Sequence, residues 1–182
     1  MPLSEHDLNQ AIAEGIIDPE RHGPLLLKLG KFTRIAGISE EDILLRLSEH
    51  TGEREQKWVI GNRRAIKGGA LGLVYTGGFV GVPLRMRAIV AVFMRNYVDA
   101  RIMSCEQAVN AEKPPTLLVL NDFGSDPTEW VKKSITKMLM QRATAGKPTL
   151  LHVPDLDVIS GWYGESAKDL ILHSFVKVVV NV

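Results

Sequence analysis

The sequence has a single cysteine, Cys105, among its 182 residues. One cysteine cannot form an internal disulfide, and it excludes a zinc site built from several cysteines. We therefore expect a reducing, cytoplasmic setting. The five histidines are scattered along the chain without the spacing of metal ligands, so the sequence predicts no metal site.

Long apolar runs and an excess of one charge are also missing. No run approaches the roughly 20 residues that span a bilayer, and the first residues lack the basic-then-apolar pattern of an export signal. We expect neither membrane insertion nor export. The chain has 22 lysines and arginines against 21 acidic residues. An argument for nucleic-acid binding must therefore come from a local cluster of charges.

Residues 1–52 predict a small helical region. Ser4 and Ser39 each have an aspartate three positions later, which is the pattern of a helix N-cap. Pro24 marks the predicted start of a further helix that ends before Gly30. Two interpretations stay open: these helices cap a larger domain, or they form a separate module that binds a partner.

Residues 53–69 are charged and bring Arg63, Arg64 and Lys67 close together in the sequence. A helix there would place Arg63 and Lys67 on one face. The segment is either a solvated linker or helix, or a contact for the phosphate backbone of a nucleic acid. These three side chains are the candidate nucleic-acid-binding residues.

Residues 70–182 alternate between apolar strands and helices. This alternation predicts an α/β core, a parallel sheet with helices on both of its faces. The predicted strands cover residues 71–75, 100–104, 116–120, 149–153 and 176–182.

The segment from Leu71 to Met86 has the layout of a phosphate-binding loop: a buried strand, a glycine-rich turn and the start of a helix. The pattern G-x-x-x-x-G-K-[ST] needs a lysine for the phosphates and a hydroxyl for magnesium. Starting it at Gly78 places Leu84 at the lysine and Arg85 at the hydroxyl. An ordinary glycine-rich connection in an unrelated α/β protein is the other interpretation.

Polar residues follow the predicted strands where each of them ends. Residues 76–81 follow the first strand, Asn121 and Asp122 follow the third, and Pro154 and Asp155 follow the fourth. Ligands of such sheets bind outside the carboxyl ends of the strands, so we expect these segments to converge.

Residues 72–182 resemble the AAA+ core of bacterial replicative-helicase loaders and of the helper ATPases of insertion-sequence transposition. Residues 73–81 are similar to their first strand and phosphate loop, and residues 117–124 to their Walker B strand. Residues 142–151 resemble the helix end and strand before their sensor-1 asparagine. Residues 162–165, with the helix and strand that follow, are similar to their final segment.

The resemblance implies an ATPase scaffold without its chemical groups. It places Leu84 at the phosphate-loop lysine, Arg85 at the magnesium hydroxyl and Asn121 at the first Walker B acid, which leaves only Asp122. Pro154 falls at the sensor-1 asparagine. We expect no cofactor and no ATP hydrolysis, with weak anion binding at backbone N–H groups left open. The vestigial nucleotide-binding residues are then Gly77, Gly78, Gly81, Arg85, Asn121 and Asp122.

Three functions stay open. The first is a catalytically inactive AAA+-like protein that acts in DNA replication or mobile-element processes by binding a helicase, an active AAA+ subunit or DNA. The second is an enzyme of another class that uses Asp122, Asp155 and His152 at the strand ends. The third is a structural or assembly subunit, which would form a homo-oligomer.

Overall fold

Five parallel strands form one sheet in the computed structural model of the protein, which describes residues 2–63 and 71–181. Their order across the sheet is β2-β3-β4-β1-β5, so the first strand lies between the fourth and the fifth. The strands are β1 (Gly72–Gly77), β2 (Ala100–Met103), β3 (Leu117–Leu120), β4 (Thr149–Val153) and β5 (Phe175–Val180).

Helices cover both faces of the sheet, as the sequence predicts. The α-helices described before the sheet, in residues 2–63, are α1 (Glu5–Ala13), α2 (Pro19–Leu27), α3 (Leu29–Ala36), α4 (Leu47–His50) and α5 (Glu53–Asn62). The helices between the strands are α6 (Val82–Arg95), α7 (Cys105–Val109), α8 (Glu129–Thr144), α9 (Asp157–Tyr163) and α10 (Glu165–Ser174).

Alternate side chains of each strand enter two separate hydrophobic cores. In β1, Leu73 and Tyr75 pack with α6, whereas Val74 packs with the layer formed by α7 to α10. Such alternation follows from the two-residue period of a strand. Because both faces are covered, β3 and β4 are buried along their whole length, which explains why their sequences are almost continuously apolar.

The N-terminal helices pack on the α6 face of the sheet. Buried residues of this region, among them Leu25, Ile43 and Trp58, belong to the same cluster as Ile89 and Phe93 of α6. The first region therefore shares a core with the sheet, as expected of helices that cap a larger domain. Whether it also binds a partner stays a prediction.

Several predicted helix boundaries need correction. The second helix begins at Pro19, because the Asp18 carboxylate accepts from the N–H groups of residues 20 and 21, and Pro24 lies inside it. The predicted capping box of Ser39 and Asp42 does form. It opens only a four-residue 3-10 helix, Glu41–Leu44. The Ser4 cap of α1 is confirmed, since its hydroxyl accepts from the Asp7 N–H.

Candidate functional site

The loop after β1 lies at the carboxyl ends of its neighbours β4 and β5. The Gly77 N–H donates to the carbonyl oxygen of Pro154 (3.0 Å), and the Gly78 N–H donates to that of Val180 (3.0 Å). Gly77 has φ +92°, and a Cβ there would lie 2.5 Å from the Val180 carbonyl oxygen, so glycine is required. Two N–H groups at the root of the predicted phosphate loop are therefore bonded within the protein.

His152 of β4 also contacts this loop. Its Nε2 lies 3.0 Å from the Gly77 carbonyl oxygen, which can only accept, so this nitrogen carries the proton. The ring is buried and packs against Phe79, with the ring centres 5.1 Å apart. His152 thus contributes a structural hydrogen bond to the loop.

The tip of the loop is apolar. Phe79 and Val80 are 48% and 80% exposed. The Val82 N–H donates to the Phe79 carbonyl oxygen (3.1 Å), and Gly81 has φ +80° immediately before α6. Pro83 follows in the first turn of α6 and has no N–H to offer. A phosphate cradle depends on several free N–H groups, and this loop has three of them bonded internally.

Arg85, in the first turn of α6, is bound by an internal carboxylate. Its Nη1 lies 3.0 and 3.1 Å from the two carboxylate oxygens of Glu55, on α5. Glu55 is 1% exposed and also accepts from the Tyr75 hydroxyl (2.6 Å) and the Gly52 N–H (2.6 Å). The charge that Arg85 brings to the loop is therefore already balanced by Glu55.

Two neighbouring side chains also lie against acidic groups of the protein. Burial, together with the Glu55 carboxylate, raises the pKa of Tyr75 far above its usual value, so its hydroxyl stays protonated and donates. The other arginine near the start of α6, Arg87, has its Nε 3.2 Å from a carboxylate oxygen of Asp42.

The residues that follow β3 lie beside the start of α7. Asn121 is exposed, and its N–H donates to the Met103 carbonyl oxygen (3.1 Å). The Asp122 carboxylate accepts from the Cys105 N–H, the first N–H of α7, at 2.7 Å. Burial and the Asp122 carboxylate raise the pKa of the Cys105 thiol, so this cysteine is not a thiolate nucleophile.

The three strand-end residues of the alternative enzyme each have a separate backbone partner. Asp122 accepts from Cys105, His152 donates to Gly77, and the Asp155 carboxylate accepts from the Asp157 N–H (2.9 Å). Among the described residues, no hydrogen bond joins any two of the three. That enzymatic role stays a prediction.

Comparison with known proteins bears on the fold. No protein-family model matches the sequence, and no curated protein matches it. A crystal structure of the DnaC helicase loader matches with a TM-score of 0.62 at 14% identity, covering 79% of this chain and 100% of that one. A crystal structure of DnaI matches with a TM-score of 0.60 at 16% identity, covering 79% and 95%. The chain has the AAA+-like fold of the helicase loaders.

Of the three predicted nucleic-acid-binding residues, the structure describes Arg63, which directly follows the last residue of α5. Arg63 is half-buried, and within the described ranges its Nε is buried without a hydrogen-bond partner. Arg64 and Lys67 lie outside the described residues, so the proposed basic cluster stays a prediction.

Sequence reasoning missed the role of Arg142. Its guanidinium is 4% exposed and donates to the carbonyl oxygens of Pro115, Thr116 and Pro148 and to the Thr149 hydroxyl, at 2.7–2.9 Å. Burial lowers its pKa to about 10, so the group stays charged at neutral pH. In the AAA+-like core, this arginine joins the end of α8 to the starts of β3 and β4.

In residues 2–63 and 71–181, no group of three or more histidine, cysteine or acidic side chains could hold a metal ion. None of the helices in those ranges has the length and apolar character needed to cross a membrane.

Proposed function

We propose that this protein is a non-hydrolysing relative of the helicase loaders, which acts in DNA replication or mobile-element processes through binding. Its partner is a helicase, an active AAA+ subunit or DNA. The shared fold supplies the framework for this proposal. The state of the loop after β1 supplies the argument against hydrolysis.

The internal bonding of the loop carries the proposal. ATP hydrolysis on this fold needs free N–H groups around the phosphates and a cation that stabilises the charge of the transition state. The Gly77 and Gly78 N–H groups donate to the Pro154 and Val180 carbonyl oxygens, and the arginine in the first turn of α6, Arg85, is bound by Glu55. A phosphate that bound to these groups would have to displace these protein contacts.

The residues at the phosphate-loop lysine position and at the Walker B position also support a protein that does not hydrolyse ATP. Leu84 offers an apolar side chain where a lysine would contact the phosphates. Asn121 is neutral where a magnesium-binding acid would lie, and the Asp122 carboxylate accepts from the Cys105 N–H. Magnesium prefers carboxylate oxygens together with substrate phosphates, so this arrangement favours neither the metal nor turnover.

A protein that acts by binding and not by hydrolysis needs a surface that contacts its partner. The N-terminal helices share a core with α6, and α6 begins at the end of the loop. A partner held by those helices is thus rigidly connected to the sheet. We assign the partner contact to this region, and a secondary contact with nucleic acid to Arg63, Arg64 and Lys67.

A binding measurement with purified components tests this function. The protein is mixed with a hexameric replicative helicase, and complex formation is followed by light scattering coupled to size-exclusion chromatography. Fluorescence anisotropy with labelled single- and double-stranded DNA tests the other partner. We expect a defined complex with the helicase or with DNA in the absence of ATP. A large homo-oligomer that binds neither would favour the structural subunit instead.

A further inference from the structure

One exposed surface of the N-terminal region combines apolar and basic side chains. We call it the α3 surface and define it by Phe32, Ile35 and Tyr97 with the basic residues Lys28, Lys31 and Arg34. The three apolar side chains are 38%, 47% and 53% exposed. They line a pocket of about 290 Å³ between α3, the end of α6 and the start of β2.

The two kinds of side chain form parallel rows along α3. Phe32 and Ile35 are three residues apart and form one row on the helix surface. Lys28, Lys31 and Arg34 are also spaced three residues apart and form a second row beside the first. The opposite side of α3 is buried through Leu29, Thr33 and Ala36. A partner that fills the pocket therefore meets the basic row along one flank.

The basic row has no acidic partner of its own. Within residues 2–63 and 71–181, no ion pair or side-chain hydrogen bond involves Lys28, Lys31 or Arg34. Two acids line pockets at this surface: Asp99 forms a two-oxygen contact with Arg101 (both 2.9 Å), and Glu40 accepts from the Leu3 N–H (3.1 Å). Three cations that form no ion pair among the described residues, beside an apolar pocket, are complementary to an acidic partner.

Tyr97 occupies a backbone position that suits glycine. It follows the last turn of α6 with φ +58°, and it is the sole described residue other than glycine with a positive φ. Glycine would relieve this strain. The tyrosine instead keeps its ring half-exposed at the pocket, with its hydroxyl donating to the Arg21 carbonyl oxygen. Strain retained beside an exposed aromatic side chain points to a contact surface.

The pocket suits side chains of a helix better than its two alternatives. Small-molecule sites place several polar groups around a pocket of roughly 300–1,000 Å³. This pocket lies at the lower limit of that range, and its charged lining residues, Asp99 and Arg101, form an ion pair with each other. An added β-strand would need the edge of β2, but Gly37 lies against that edge: a Cβ there would come to 2.9 Å from the Ile102 carbonyl oxygen.

We propose that the α3 surface binds an acidic amphipathic helix of a protein partner. Apolar residues on successive turns of that helix enter the pocket, while its carboxylates lie along the basic row. This inference rests on the proposed function only in taking the protein to act through a partner. It adds the docking surface and the chemistry of the docked segment.

Three fluorescein-labelled helical peptides test the inference by anisotropy. They share one leucine-rich face and carry glutamate, glutamine or lysine on its flanks. We expect the glutamate peptide to bind about tenfold more tightly than the glutamine peptide, and more weakly as salt rises. The double variant Lys31→Glu, Arg34→Glu should transfer the preference to the lysine peptide. The double variant Phe32→Ser, Ile35→Ser should weaken all binding by about tenfold or more.

Matched variants on α8 provide the control. Trp130 is 52% exposed, and Lys133 and Lys137 are exposed on the same helix. Trp130→Ser and the pair Lys133→Glu, Lys137→Glu should leave the affinities unchanged, and circular dichroism verifies that every variant is folded. Equal affinity for the three peptides, no binding of the glutamate peptide, or equal losses in the α8 variants would overturn the inference.

The outcomes also separate this inference from the proposed function. A dimer that dissociates in the Phe32→Ser, Ile35→Ser variant would identify a second copy as the occupant and overturn the acidic helix. Binding of a helicase that is unchanged in the α3-surface variants would retain the proposed function and refute this surface. Selective binding of the glutamate peptide by a protein that hydrolyses ATP would retain this surface and refute the proposed function.

Discussion

The buried carboxylate of Glu55 offers the sharpest test of how the loop after β1 is held. Substitution Glu55→Gln keeps the size of the side chain but removes its charge. The carboxylate accepts from Gly52, Tyr75 and Arg85, and only 1% of the residue is exposed. The amide has one oxygen for these three donors, and its NH₂ group must face at least one of them.

The expected loss of stability follows from these contacts. Removing one partner of a buried ion pair costs about 3–5 kcal/mol. The Arg85 side chain is 31% exposed and can turn toward water, so the lower limit applies, about 3 kcal/mol. For a chain of this length, 1 kcal/mol corresponds to roughly 2–4 °C in Tm. Glu55→Gln should therefore lower Tm by about 6–12 °C.

Thermal and urea denaturation followed by circular dichroism measure this loss. Glu53→Gln, on the same helix, is the control, because its ion pair with Lys57 is exposed and should leave Tm unchanged. In a double-mutant cycle with Arg85→Met, the two losses should be clearly less than additive. A Tm shift of Glu55→Gln below about 2 °C, or full additivity of the cycle, would refute the reasoning.

Three further substitutions test other contacts. Burial lowers the pKa of His22 in the folded protein, so as pH falls the unfolded chain binds a proton at this side chain before the folded protein does. The free energy of unfolding should therefore fall as pH drops below about 6.5. His22→Gln should make the free energy of unfolding less dependent on pH between about pH 7.5 and 5.5. His173 is exposed, so His173→Gln should leave the dependence unchanged. An unchanged pH dependence in His22→Gln would count against this assignment. Arg142→Met should lower the free energy of unfolding by about 3 kcal/mol or more, because four acceptors, three of them in buried hydrogen bonds, lose their donor. An unchanged urea midpoint would contradict this. Gly77→Ala should destabilise the protein more than Gly81→Ala in the same assay, since both have positive φ but only the first Cβ meets backbone, and equal losses would exclude the clash.

The strands were predictable because their burial is visible in the apolar residues of each short segment. Leu117–Leu120 and Thr149–Val153 are buried on both faces of a parallel sheet, and such strands need nearly continuous apolar runs. The glycine-rich turn after β1 was equally visible, since a positive φ and a close approach to the Val180 carbonyl oxygen require glycine at position 77.

Helix boundaries were less predictable in the N-terminal region, because distant contacts decide them. Pro24 is a common type of helix start, yet α2 continues through it, with Leu25 buried in the core and the His22 ring bonded to the Arg95 carbonyl oxygen. The capping box of Ser39 and Asp42 forms as predicted, but a cap does not determine how many residues follow it.

The contacts that define the candidate site could not be read from local patterns. Glu55 lies in a segment whose charge predicts a solvated helix or linker, but its partners Tyr75 and Arg85 are 20 and 30 residues away and bury it. The hydrogen bond from His152 to Gly77 spans 75 residues. Sequence spacing identified the loop, and only the folded chain shows that the N–H groups of Gly77, Gly78 and Val82 and the side chain of Arg85 already have partners within the protein.

Magnesium-dependent ATP hydrolysis is the most direct test of the central claim. The wild-type protein is assayed for phosphate release beside Asp122→Asn, which keeps an oxygen to accept from the Cys105 N–H at the start of α7. We predict no hydrolysis above the background of the buffer for either protein. Magnesium-dependent turnover by the wild type that Asp122→Asn abolishes would show an active ATPase and contradict the account.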